Sequence, residues 1–175
     1  MSSPTPLLVD DASSTSWDDV ADVVIVGLGA AGITAAVEAR ERGADVLVLD
    51  RFDGGGATAI SGGVFYAGGG THIQEEAGVQ DTVENMIRYL SLEVQDAVSP
   101  ETLRDFCETS AANVRWLTDR GVPFYGTLCP IKTSYPTNEY HLSYSGNETF
   151  PPYSEAATPA QRGHRADGGA FPGFN

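Results

Sequence analysis

The stretch that most constrains this chain runs from Asp22 to Ser61. An apolar run, Val23-Val24-Ile25-Val26, breaks into Gly27-Leu28-Gly29-Ala30-Ala31-Gly32. An alanine-rich segment follows at helical spacing from Ile33 to about Arg42, and Gly43 closes it. A second apolar run, Val46-Leu47-Val48-Leu49, ends on Asp50, which lies 18 residues after Gly32. Strand, glycine turn, helix and strand in this order form a βαβ unit, whose two strands pair in parallel because a helix crosses between them. The expected fold class is α/β, a Rossmann-like domain built on a parallel sheet.

Each glycine of the turn has its own task. Gly27 lets the chain turn sharply out of the strand, because it can take positive φ. Gly29 has no side chain, so a pyrophosphate can approach the backbone, and Gly32 lets the helix pack close to the sheet. The N–H groups at the start of the helix, around Ala30 and Ala31, add the positive end of the helix dipole. Asp50 is placed to accept hydrogen bonds from both hydroxyls of an adenosine ribose, and its charge repels a 2′-phosphate. A glycine turn on its own is often structural. Here the flanking strand, the helix and the acidic residue agree on a dinucleotide site.

The residues after Asp50 separate a flavin from a nicotinamide. Asp50-Arg51 leads into Gly54-Gly55-Gly56-Ala57-Thr58-Ala59-Ile60-Ser61-Gly62-Gly63. A flat isoalloxazine needs bare backbone beside it, and small residues supply that together with N–H groups for its polar edge. A flexible linker is the alternative, but glycine interleaved with Ala, Thr, Ile and Ser differs from a bland Gly/Ser linker. The candidate FAD-binding residues are therefore Gly27, Gly29, Ala30, Ala31, Gly32, Asp50, Arg51, Gly56, Ala57, Thr58, Ser61, Gly62 and Gly63.

Composition sets the remaining bounds. The 175 residues suggest one domain, and 41% hydrophobic content suits a globular core. Ten basic against 24 acidic residues leave a net charge of −14, which opposes nucleic acid and anionic membranes as partners. Cys107 and Cys129 make no disulfide framework, and no zinc-type or other metal cluster stands out. The first residues have neither a basic region nor an apolar core of signal-peptide type, and no run approaches a membrane span. A cytoplasmic setting is the expectation.

Residues 1 to 20 read as a mobile, polar tail in which Trp17 packs on the domain, and residues 21–175 form one flavin-binding portion. Val64 to Ala67 reads as a short buried strand or turn. Asp81 suits an N-cap with Glu84 in the reciprocal position. Ser99-Pro100 opens a second helix whose Leu103, Phe106, Cys107, Ser110, Val114 and Leu117 share one face, with Gly121 at its end. Both helices read as core, and Cys107 as a small hydrophobe. From Val122 to Tyr153 the periodicity is lost among prolines and aromatics, so residues 122–165 lead into a substrate-facing region, with a pinned surface loop as the alternative. Tyr135, Tyr140 and Tyr144 are the catalytic candidates there. His164, between two arginines, should be neutral through like-charge repulsion and reads as a surface residue. Gln161 to Arg165 leads into Ala166 to Asn175, which show no terminal helix or strand.

Several pieces now resemble a known group. They are Asp22-Val-Val-Ile-Val-Gly-Leu-Gly-Ala-Ala-Gly, Gly56-Ala-Thr-Ala-Ile-Ser-Gly-Gly and Tyr66-Ala-Gly-Gly-Gly-Thr. They resemble the fumarate reductase/succinate dehydrogenase flavoprotein superfamily. Asp81-Thr-Val-Glu-Asn-Met, Gly121-Val-Pro-Phe, Leu142-Ser-Tyr-Ser-Gly and Pro159-Ala-Gln-Arg-Gly-His are most similar to flavin-dependent 3-oxosteroid dehydrogenases of the branch that desaturates carbons four and five. The resemblance implies a steroid-like substrate, an electron acceptor and a chain that is an N-terminal portion only, with most catalytic groups further on. Quinone-coupled members carry a flavin-linking histidine where this chain has Ala57, which implies non-covalent FAD. Two alternatives stay open: a reductase of an activated double bond of fumarate or urocanate type, and a truncated, non-catalytic flavin-binding fragment.

Overall fold

In a computed structural model, residues 8–133 and 136–168 are described. The chain divides into two compact units between Ala59 and Ile60. The first unit carries β1 (Val23–Val26), α1 (Ala30–Glu41) and β2 (Val46–Leu49). β1 and β2 pair in parallel with Val23 opposite Val46 and Val26 opposite Leu49, the arrangement expected of a βαβ unit. α1 starts three residues before the sequence pattern suggested, because Ala30 and Ala31 are strong helix formers behind the N-cap Gly29. Gly43, at φ +88°, ends the helix by donating its N–H to Arg40 O. No residue of β1, α1 or β2 is fully buried, and Val24 and Val26 are 54% and 84% exposed.

Ahead of β1 the described tail residues are solvent-facing, with a short 3₁₀ turn at Ala12–Ser14. Trp17 does not pack on the domain as expected. It is 55% exposed, and its indole N–H donates to Ala12 O within the tail.

The second unit carries β3 (Val64–Tyr66), α2 (His72–Glu76), α3 (Val83–Val94), α4 (Pro100–Asp119), β4 (Leu142–Ser143), α5 (Tyr153–Ala156) and β5 (Gly163–Arg165). An antiparallel sheet runs in the order β3-β5-β4. One apolar cluster gathers Ala67, Ile73, Val114 and Phe124, with Phe65 packed on it. A second gathers Met86, Leu103 and Cys107, with Tyr66 packed on it. β3 thus sends Phe65 and Tyr66 into different clusters, as period-two alternation requires. Cys107 is a buried, free thiol, in keeping with its reading as a core residue, whereas Phe106 is 42% exposed.

Three expectations fail here. Thr82, not Asp81, caps α3, accepting from the Asn85 N–H at 3.1 Å, because the Asp81 carboxylate is drawn into a buried ion pair. β5 lies between β3 and β4, with Phe65 opposite His164 on one side and Leu142 opposite it on the other. His164 is therefore fully buried, not a surface residue. Its imidazole is held well below its ordinary value, at about 4, and the leading cause is burial and not the flanking arginines. The 122–153 stretch is also less bare than expected, since bridges pair Phe124 with Ala166 and Leu128 with Leu142.

Candidate cofactor site

The candidate cofactor residues fall in two groups, 27–58 in the first unit and 61–63 in the second. In the first, Gly27 takes φ +97° and its N–H donates to Leu49 O at 2.7 Å, so the turn leaves β1 while still paired to β2. A Cβ at Gly32 would lie 1.8 Å from Gly27 O, so the turn and α1 close on one another only because Gly32 is bare. Gly29 is different. Its φ is −89°, and a Cβ there would meet nothing within 4 Å. The protein itself does not require glycine at 29, whereas a phosphate approaching the backbone does.

The start of α1 is open as well. No side chain caps it and no acidic residue lies in its first turn, which leaves the N–H groups around Ala30 and Ala31 and the helix dipole for an anion. The second glycine run folds back over this turn. Gly54, Gly55 and Gly56 all have positive φ, the Gly55 N–H donates to Leu28 O at 2.6 Å, and a Cβ on Gly56 would come 3.2 Å from the Gly29 Cα. Ala57 and Thr58 follow, exposed, in the 3₁₀ turn Gly56–Ile60.

Asp50 lies beyond the end of β2. Its Oδ2 accepts from the Leu28 N–H at 2.5 Å and its Oδ1 from the Phe52 N–H at 2.8 Å. These two bonds hold the carboxyl below its usual range, so it is an anion at neutral pH. Each oxygen keeps a further lone pair, which is what two ribose hydroxyls need. The Arg51 guanidinium stacks 4.7 Å from the centroid of the Phe52 ring. In the second unit, Gly63 takes φ +69°, its N–H donates to Ser61 Oγ at 3.3 Å, and its carbonyl accepts from the Ala166 N–H at 2.9 Å.

This donor set fits a dinucleotide: an uncapped helix start, a glycine with open space over it and an anchored acid. The comparisons decide which one. Residues 22–173 match the family described as FAD binding domain. The chain belongs to this FAD-binding domain family. Among the relatives of this FAD-binding domain is the 3-oxo-5-alpha-steroid 4-dehydrogenase of Comamonas testosteroni, 46% identical over 160 residues, covering 90% of this chain and 30% of that protein. The NADH:fumarate oxidoreductase of Klebsiella pneumoniae is 32% identical over 65% of this chain and 12% of its own length. Among solved structures, the 3-ketosteroid-delta4-(5alpha)-dehydrogenase of Rhodococcus jostii RHA1, in complex with 4-androstene-3,17-dione, matches with a TM-score of 0.84 and 43% identity. That match covers 89% of this chain and 33% of that one. The open conformation of a flavocytochrome c3 fumarate reductase matches with a TM-score of 0.66 and 28% identity, over 88% of this chain and 23% of that one. The chain thus spans about a third of the length of the steroid dehydrogenases it matches. FAD is the cofactor of this domain, and the parallel βαβ unit is its fold.

Of the catalytic candidates, Tyr135 lies outside the described residues. Tyr140 is half-buried and its N–H donates to Thr137 O. Tyr144 is half-buried, and burial, with the Glu148 carboxylate second, pushes its phenol above the ordinary value. What the sequence reading missed is the polar interior of the second unit. Arg162 is wholly buried and forks onto Asp81, Nε to Oδ2 and Nη2 to Oδ1, each at 2.8 Å. A Cβ on Gly68 would sit 2.6 Å from Asp81 Oδ2 and 2.9 Å from Arg162 Nε. The one sequence signal was Ala67-Gly68-Gly69-Gly70-Thr71 itself, since three adjacent glycines mark a close approach of something.

Among the described residues no group of three or more His, Cys, Asp or Glu side chains could hold a metal, and no helix is long and apolar enough to cross a membrane.

Proposed function

We propose that this chain is the cofactor-binding portion of an FAD-dependent oxidoreductase that desaturates a 3-oxosteroid-like substrate. The observation that carries this reading is the 46% identity to a 3-oxo-5-alpha-steroid 4-dehydrogenase across 90% of the chain. In this reading Gly27, Gly29, Gly32 and the first N–H groups of α1, at Ala30 and Ala31, bind the pyrophosphate. Gly56, Ala57 and Thr58 line its approach beside Arg51, and Asp50 binds the ribose. Ser61, Gly62 and Gly63 present bare backbone to the isoalloxazine. When bound, FAD accepts the hydride equivalent that leaves the substrate. Ala57 has no nucleophile, so the flavin is held without a covalent link.

Residues 1–20 are the tail, and 122–165 lead toward the substrate. Tyr144 keeps its proton at neutral pH, because its phenol titrates above the ordinary range. That suits it to donate a hydrogen bond to a ketone or enolate oxygen and not to act as the base. Tyr135 and Tyr140 are the other phenols offered to the substrate. A separate electron acceptor re-oxidises the protein. The two free, buried cysteines support a reducing, cytoplasmic setting.

The second reading, reduction of a dicarboxylate such as fumarate, asks for clustered cations. Among the described residues of 122–165 the two arginines are committed elsewhere: Arg162 is buried on Asp81, and Arg165 is held by Thr137 O and Asn138. The test mixes the FAD-loaded, family-length protein anaerobically with a saturated 3-oxosteroid and follows the visible flavin absorbance. Bleaching is expected. No bleaching, together with fast re-oxidation of the pre-reduced protein by fumarate, would overturn the steroid reading in favour of the second. The 175-residue chain alone is expected to bleach far more slowly. Bleaching at an enzyme-like rate would place the catalytic groups within it.

A further inference from the structure

The Ser61–Gly63 loop runs straight into β3, and β5 accompanies it throughout. The Ala166 N–H donates to Gly63 O at one end, and the Ala67 N–H donates to Arg162 O at the other, both at 2.9 Å. Between them Val64 faces Arg165, Phe65 faces His164 and Tyr66 faces Gly163. The register of this ladder therefore decides where the Gly63 carbonyl and the loop before it stand. Yet β5 is three residues, Gly163-His164-Arg165, with no apolar alternation and a glycine at its head. Such a strand specifies its own register poorly.

Its side chains supply what the pattern lacks. Arg162, directly before the strand, is fully buried and bidentate on Asp81. His164, in the middle, is fully buried with Nε2 2.8 Å from Thr71 Oγ1 and Nδ1 3.0 Å from Arg162 O. Arg165, at the end, is held by Thr137 O and Asn138. A slip of one residue would turn Arg162 and His164 to the opposite face and strand both. Buried ion pairs are weak stabilisers compared with apolar packing of the same volume, and their best-attested use is to fix registry.

We propose that Arg162, locked by Asp81 and seconded by His164, is a positioning residue for the cofactor: it sets the register of β5 on β3 and so holds the backbone of Ser61–Gly63 where the flavin meets it. This rests on the reading that the Ser61–Gly63 loop touches the flavin.

The test compares the FAD-loaded, family-length protein with its variant Arg162→Met/Asp81→Asn. That pair removes both buried charges, and the asparagine oxygen still accepts from the Gly69 N–H. A purely structural role predicts a lower unfolding midpoint, with the visible band and midpoint potential of the bound flavin unchanged. The positioning role predicts that, at a temperature where circular dichroism shows the variant folded, FAD binds about tenfold more weakly. It also predicts that the flavin band and potential both move. Arg162→Lys keeps the charge but not the fork, so it should show the same shifts in smaller measure, and it carries the test if the double variant does not fold. An unmoved flavin band and potential in a folded variant overturn the proposal. Gly63→Ala, which strains the loop itself at positive φ, separates the two layers. If it shifts the flavin while the Arg162 variants do not, the positioning role fails. If it leaves the flavin untouched, the placement of the loop fails and the proposal falls with it.

Discussion

Two glycine-rich loops in this molecule are used in opposite ways. In the first unit, the turn at 27–32 has an uncapped helix start and open space at Gly29. In the second, the loop at 68–71 has every amide engaged by a side chain. The N–H of Gly68 donates to Ser110 Oγ, that of Gly69 to Asp81 Oδ2, and those of Gly70 and Thr71 to Gln74 Oε1, all within 3.0–3.1 Å. Similar sequences thus leave an open turn in one case and make a sealed strut in the other. Burial follows the same division. None of the elements β1, α1 and β2 has a fully buried residue, whereas the second unit buries Arg162, His164, Gln74 and Glu148 together with two apolar clusters. The lesson is that a glycine run announces a close approach, and that the fate of its N–H groups decides whether the thing approaching is a ligand or the protein itself.

The largest effect should come from breaking the sealed side. Arg162→Ala leaves the Asp81 carboxylate buried and unpaired, which typically costs about 3–5 kcal/mol. Denaturant melts followed by the tertiary signal of the second unit should show that loss, and a change near zero would mean that Asp81 finds water. Acid should act next. His164 is neutral when folded, at about 4, and its ordinary value is 6.5. The unfolded chain therefore binds the extra proton first. Stability from this group is full above pH 6.5 and is lost progressively as pH falls to about 4, for a total of about 3 kcal/mol. His164→Gln should flatten the stability–pH curve in that window, and a slope equal to that of the unsubstituted chain would exclude the histidine as its cause.

Two smaller tests sharpen the open side. Asp50→Ala should weaken FAD roughly tenfold, because charge-assisted bonds to the ribose are lost. A flavin titration with unchanged affinity would show that the carboxylate serves only Leu28 and Phe52. Gly29→Ala and Gly32→Ala should then part company. At 32 the new methyl collides with Gly27 O, so stability falls by about 1–3 kcal/mol. At 29 the methyl meets nothing, so the melt should be unmoved while FAD affinity drops. Equal effects on the melt would contradict the open space over Gly29.

The division also explains what could be read from the sequence. The βαβ unit is legible because local signals, two short apolar runs and the glycine punctuation around an alanine-rich helix, agree with one another there. The sealed side was not. Asp81 carries a good capping residue's chemistry, and only a partner 81 residues away diverts it to Arg162. Gly163-His164-Arg165 has no strand pattern at all, and it is a strand because two neighbours and three polar anchors make it one. The histidine is neutral because of burial, which the sequence does not display, and not because of the flanking arginines, which it does. The expectation for Trp17 failed for a related cause: an aromatic before a strand suggests packing, but its nearest partner is its own tail.

The second unit also contains its own reporter. Both cysteines of the chain lie there, buried and free, and burial raises the Cys107 thiol to about 11. A thiolate is the species that alkylating reagents attack, so in the native state Cys107 is shielded twice, by access and by protonation. Its labelling rate therefore measures how often the α3–α4 cluster opens. Residues 1–59 contain no cysteine, so every label the reagent adds reports from the second unit.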